Sequence, residues 1–319
     1  MPILDPQHDF GHAHEDAPDW SESYYFNGYS PASDVGFFAR IAIRPNEPHV
    51  DGFITLWLPD GRSVRLAHAS ATAVPEVGSP TVACLRAVRI TPMMTWHLSG
   101  SGCSDEGCAV QLDLTFSALT PAIGVDAQGR QVSTAAGNAV LGSLGHGHFE
   151  QSGCWRGEVQ VDGERWSVEG RGNRDKSWGP RRSDGAHGMR YWRWFSMNFG
   201  DEVHLGGIRV GFDDAAMQRG WLSRQGELVS LRELTLTTRL AADGLSQAHV
   251  TLLARDKAGD THTITGEVLR CAPLIARGHE HMLIVEGLTR WHYQGLTGYG
   301  ICEYAHQTDA AGRPVVPID

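Results

Sequence analysis

Several segments of this chain alternate apolar and polar residues at period two, and many are rich in Val, Ile, Thr and aromatic residues. They are FFARIAIR (37–44), FITLWL (53–58), VQLDLTFSAL (110–119), RWSVEGRG (165–172), YWRWFSMNF (191–199), HLGGIRVGF (204–212), LRELTLTTRL (231–240) and HMLIVEGLTRWHYQG (281–295). This pattern predicts extended strands. Between them lie turn signals: Pro59-Asp60-Gly61, Asp126-Ala127-Gln128-Gly129, Val161-Asp162-Gly163-Glu164, Ser223-Arg224-Gln225-Gly226-Glu227 and Asp256-Lys257-Ala258-Gly259-Asp260. Each supplies a residue tolerant of positive φ or a side chain that bonds its own backbone, as a hairpin tip requires. Only Val132 to Leu141 hints at a helical period, and it contains Gly137 and Asn138. Strands do not alternate with helices, so a parallel α/β sheet is excluded. The class predicted is all-β, with antiparallel barrels or sandwiches, and up-and-down barrels enclose small apolar ligands readily.

At 319 residues the chain suits two domains of roughly 150 residues each. The expected division is an N-terminal tail over 1–20, a first β domain over 21–180 and a second over 181–319. Hydrophobic residues at 41% and charged residues at 20% fit a folded globular protein. A net charge of -10 and the lack of a long basic run argue against nucleic acid as a partner. No stretch approaches the roughly 20 apolar residues of a membrane span, and the start has no basic-then-apolar leader, so a cytoplasmic location is expected.

Six cysteines (Cys84, Cys103, Cys108, Cys154, Cys271, Cys302) are scattered, without the paired spacing of a structural zinc site, and free thiols are expected. Among 16 histidines, His8, His12 and His14 suggest a mobile tail. His146 and His148 could share a strand face, but no third metal ligand lies near them in sequence. No serine elbow, phosphate loop or dinucleotide fingerprint is present, which leaves acid–base chemistry by Asp, Glu, His and Tyr in an apolar cavity.

GNRDKSWGPRR (172–182) reads as the hinge between the two β units. If the segment is extended, Arg174 and Lys176 point away from Asp175. Buried beside Trp178, the Asp175 carboxyl would have a raised pKa and serve as a proton donor; paired with Arg174 or Arg181 it would instead fix the loop. Tyr191, Trp192, Trp194 and Phe195 cluster just beyond, as core or as the lining of an apolar pocket. GLTGYGICEYAH (295–306) places Glu303 and Tyr304 on a late strand, where an inward Glu303 is either paired with an arginine or used in chemistry. His204 and His292 lie on aromatic strands, as hydrogen-bonded core residues or as bases.

GNRDKSWGPR, YWRWFSMNF and GLTGYGICEY, together with ESYYFNGYSPASDVGFFARIAIRPNE near the start, resemble a bacterial family related to the carotenoid hydratases (hydroxyneurosporene synthases). That group also includes decalin-forming cyclases of Diels–Alder type. The resemblance covers nearly the whole chain, and its matching positions are Asp175, Ser177, Trp178, Gly179, Pro180 and Arg181. It implies two lipocalin-like β-barrels or sandwiches in tandem and a small hydrophobic ligand, with water added across an isoprenoid double bond in the hydratases and no cofactor. Fold alone does not fix the activity.

The combined expectation is a hydratase or isomerase of lyase type acting on an isoprenoid or polycyclic substrate. Asp175 gives the proton, and Glu303 or a histidine such as His204 handles water. Trp178, Tyr191, Trp192, Trp194, Trp291 and Tyr304 line the site, with Gly179, Pro180 and Arg181 as structural support and no metal. The rivals are a carrier for a lipid, terpenoid or steroid, and a pericyclic cyclase that needs no acid.

Overall fold

The computed structural model describes residues 2–47, 49–70, 79–126, 145–180, 189–212, 216–275 and 282–318. The chain divides into two compact units. Among the described residues, all long elements are strands, paired antiparallel. Among the described residues, no helix is long and apolar enough to cross a membrane. The candidate helical stretch at Val132 to Leu141, and Arg181, lie outside the described residues.

The first unit opens with a 3-10 turn, Pro6–Asp9, followed by β1 (Trp20–Ser30), β2 (Val35–Arg44), β3 (His49–Trp57) and β4 (Ser63–Ser70). Then come β5 (Thr81–Val82), β6 (Leu85–Thr91), β7 (Thr95–Cys103), β8 (Ala109–Ala118), β9 (Ile123–Asp126), β10 (Gly147–Val161) and β11 (Glu164–Pro180). The sheet order β4-β3-β2-β1-β11-β10-β8-β7-β6-β5, with β9 beside β10, makes a nearly closed barrel. Its ends return to each other. A Cβ added to Gly52 in β3 would meet Val82 Cγ1 of β5 at 2.6 Å, and the Asp105 amide donates to the Arg65 carbonyl of β4 at 2.8 Å. Inward side chains such as Phe26, Phe37, Ile41, Trp96, Leu114 and Trp155 fill the interior, each large one stabilising the fold by about 1.5–3 kcal/mol through burial.

The second unit is a closed barrel of β12 (Tyr191–Phe199), β13 (Val203–Gly211), β14 (Ala216–Arg224), β15 (Glu227–Leu240), β16 (Gln247–Asp256), β17 (Thr261–Ile275), β18 (Met282–Tyr293) and β19 (Leu296–Gln307). Consecutive strands are neighbours, and β12 pairs with β19 to close the ring. Phe195, Met197, Leu234, Leu252, Trp291 and Tyr293 pack its interior.

Two expectations are corrected here. Gly172 to Pro180 is not a hinge loop but the second half of β11, with Arg171 to Pro180 paired to β1 and Glu164 to Trp178 paired to β10. Its pairing with a strand on each side, not its turn residues, decides its conformation. The histidine-rich start is not a free tail. Asp9 is fully buried, and Ile3 bridges Ile123.

Candidate functional site

Strand β11 presents two chemically different faces, because successive side chains point to opposite sides. Arg174, Lys176 and Trp178 share register with Phe26, Tyr24 and Glu22 of β1 and face inward. Asn173, Asp175 and Ser177 share the outward face with Asn27, Tyr25 and Ser23. Asp175 and Trp178 therefore do not meet in one cavity, contrary to the sequence expectation. Among the described residues, the partner of Asp175 is neither Arg174 nor an aromatic ring but a histidine.

His148 Nε2 lies 3.1 Å from Asp175 Oδ2, a diagonal contact between β10 and β11. The side chains are 8% and 21% exposed. Tyr25 and Glu150 flank Asp175 directly on the neighbouring strands, and Ser177 lies opposite His148. Tyr25, Glu150, Ser23 and Ser177 are all buried. On the same face of β2 and β3, Arg40 donates to Ser23 Oγ at 2.8 Å and pairs with Asp51 at 3.5 Å. Phe38 packs on Trp57 and Phe53 at 4.9 and 5.8 Å between ring centroids. The Trp57 indole nitrogen is buried without a partner. A largely shielded carboxyl–imidazole pair with a phenol on the neighbouring strand can pass a proton to or from a weakly polar molecule.

The inward end of the same strands holds a charged network. Lys176 Nζ lies 2.7 Å from Glu22 Oε1 and donates to the carbonyls of His8 and Phe10 at 2.9 and 2.5 Å. Burial lowers the lysine pKa to about 8, against the opposing pull of Glu22. The Glu22 carboxyl also contacts His12 Nδ1 at 3.0 Å. Glu22 stays below the usual carboxylate range, since its bonds and charges from His12 and Lys176 together outweigh burial, the largest single influence. Burial likewise lowers the His12 pKa. Trp178 lies under His12 and directly opposite Gly147, where a Cβ would sit 2.0 Å from its ring. Gly179 takes φ +117, a conformation that favours glycine.

In the second unit the remaining candidates separate in the same way. Tyr304 and Trp291 belong to the inner core, and Tyr191 shares the inward register with Arg193, whose guanidinium sits 4.5 Å from the Tyr191 ring and 4.3 Å from that of Tyr304. Trp192, Trp194 and Glu303 take the opposite face, so Glu303 is not inward. It accepts a hydrogen bond from the Trp192 indole and stands opposite Glu286. His204 Nδ1 meets Asn198 Oδ1 at 2.9 Å and its Nε2 meets the Asp201 carbonyl at 3.1 Å. Both ring nitrogens are engaged within the barrel, as in a hydrogen-bonded core histidine. His292 contacts Thr297 Oγ1 at 3.2 Å on an exposed edge.

Reading the sequence alone missed His148 as the partner of Asp175, and it assigned no role to Asp9, Glu22 or Lys176. The signal for Glu22 was present: in WSESYYF it alternates with Trp20 and Tyr24 on what must be an inward face. All six cysteines are free thiols in the structure. Among the described residues, no group of three or more His, Cys, Asp or Glu is placed to hold a metal ion.

The fold has solved relatives of low sequence identity. A protein assigned as AttH from Nitrosomonas europaea superposes with a TM-score of 0.68 at 15% identity, covering 95% of this chain and 96% of that one. Kievitone hydratase from Nectria haematococca gives 0.60 at 13% identity, over 96% and 94% of the two chains. CghA in complex with Sch210972 gives 0.57 at 12% identity, over 92% and 90%. No curated protein matches the sequence. The likeness to these structures shows a common two-barrel architecture, and the family model for DUF7064, described as a domain of unknown function, matches residues 5–308, so the chain belongs to that family.

Proposed function

We propose that this protein is a cofactor-independent hydratase or isomerase of lyase type, acting by acid–base chemistry on an apolar isoprenoid or polycyclic substrate. Asp175 and His148 form the acid–base couple. The observation that carries the reading is their 3.1 Å contact, with His148 buried, Asp175 half-buried and the buried Tyr25 directly opposite Asp175. The couple gives one proton to an alkene carbon, leaving a carbocation. Water attacks the neighbouring carbon and returns a proton to the couple, so the net change is addition of one water. Aromatic faces stabilise the cation and exclude competing solvent. Kievitone hydratase shares the fold, and its name states a hydration, which supports the reading by analogy.

A second reading rests on CghA, whose structure holds the bound compound Sch210972. On that reading the protein binds or folds a polycyclic molecule and passes no proton. The two separate experimentally. Ligand that copurifies with the protein is identified by mass spectrometry, and related alkenes are offered in ¹⁸O-labelled water. Hydration gives a product that gains one labelled water, and Asp175→Asn abolishes it. Binding alone returns the ligand unchanged, and a pericyclic reaction conserves mass and persists in Asp175→Asn. Either of the last two results overturns the hydratase reading.

A further inference from the structure

We infer that the segment around Leu4 to His12 occupies a carboxylate-binding site at one end of the first barrel, and that an amphiphilic carboxylate competes with it. The nest is built by the barrel. Asp9 Oδ1 lies 2.7 Å from Arg174 Nη1 of β11, and its Oδ2 accepts from the Met93 amide at 2.7 Å and from Trp96 Nε1 of β7 at 3.2 Å. Arg174 Nε is fixed by Gln151 Oε1 of β10 at 2.7 Å, and Arg89 Nε donates to the Asp9 carbonyl at 3.2 Å. The donors that meet the Asp9 carboxylate all belong to strands or to the β6–β7 turn. The acceptor comes from a four-residue turn ahead of the barrel.

Charge explains what the nest requires. The barrel contributes Arg174, Arg89 and Lys176 to this end, and Glu22 pairs with Lys176. Asp9 supplies the carboxylate that faces Arg174 and Arg89. Without it a buried guanidinium lacks a counter-ion, a situation that costs several kcal/mol and draws in an anion. Lys176 likewise donates to backbone oxygens of His8 and Phe10, acceptors that a ligand or water also provides.

Next to the nest lies an apolar surface separate from the main core. Met93, Ala122, Phe149 and Trp178 form one buried cluster, with Leu4 packed against it. His12 covers the Trp178 ring, and the Trp178 indole nitrogen is buried with no partner. The segment thus mimics a carboxylate head with an apolar body. The matching ligand is an organic acid with a short hydrocarbon or ring system, its head in the place of the Asp9 side chain and its body in the places of Leu4 and His12.

The test uses the full chain. Asp9→Ala removes the resident carboxylate. Formate, and more strongly octanoate, are expected to raise its melting temperature saturably, whereas chloride and octanol do not. Octanoate is expected to bind at least about tenfold tighter than formate because only it covers the apolar cluster. In the unaltered protein, octanoate is expected to speed amide hydrogen exchange across residues 4–12 by about tenfold or more as it displaces the segment. A folded Asp9→Ala variant indifferent to both acids overturns the proposal. Should that variant not fold, unchanged exchange in the unaltered protein with saturating octanoate overturns it instead.

Discussion

The His12 imidazole lies flat on the Trp178 indole, with centroids 4.0 Å apart and planes within 6° of parallel. Such a contact contributes about 0.5–1.5 kcal/mol beyond its area. His12→Ala is expected to lower the unfolding free energy by that order, seen as a melting temperature lower by a few degrees, and to red-shift the tryptophan emission as water reaches the ring. His12→Phe, which keeps a flat ring, is expected to restore most of both.

Gly147 is glycine because Trp178 occupies the space where its Cβ would be, 2.0 Å from Cζ2. Gly147→Ala must push the ring out of a fully buried position, at a cost of about 1–3 kcal/mol. Thermal unfolding of the variant measures that cost, and near-ultraviolet circular dichroism reports whether Trp178 has moved.

The Asp9–Arg174 ion pair is completely buried. Arg174→Met leaves Asp9 charged without its main partner and is expected to cost about 3–5 kcal/mol. Arg174→Met combined with Asp9→Leu is expected to cost much less than the sum of the two single changes, since neither charge is then stranded. Urea unfolding of all four proteins closes the cycle.

His306 stands at the inward end of β19 with both ring nitrogens buried and unpartnered. Burial, with the nearby Arg193 charge, pulls its pKa to about 3 from 6.5. Between those values the unfolded chain holds a proton that the native protein refuses. Stability contributed by this group is therefore present above pH 6.5 and is lost as pH falls toward about 3. Comparing His306→Leu with the unaltered protein over this range is expected to show a shallower loss of melting temperature in the variant.

The barrels were legible wherever one face of a strand is apolar and the other polar. YWRWFSMNF coincides with β12, and LRELTLTTRL falls within β15. Four hairpin tips were also legible, since Asp162-Gly163, Gln225-Gly226, Gly61 and Gly259 all take positive φ between paired strands. GNRDKSWGP defeated the same reasoning because both of its faces are polar and largely shielded: Arg174 and Lys176 are buried inward, and outward Ser177 is buried and Asp175 half-buried. Burial there depends on partners from distant segments, Asp9 for Arg174 and His148 for Asp175. Spacing along the chain carries no record of either pairing. The tryptophans were recognised as a group, but Trp178 and Trp291 are interior packing while Trp192 and Trp194 take the other face of their strand.

The account stands most directly on the rate of hydration by Asp175→Asn, measured beside its melting temperature on an alkene that the unaltered protein turns over. Removing an acid–base group from the transition state is expected to slow the reaction by about 100-fold or more while the fold persists, and His148→Gln is expected to fall with it. Turnover by a folded Asp175→Asn protein at the unaltered rate would contradict the role given to this pair.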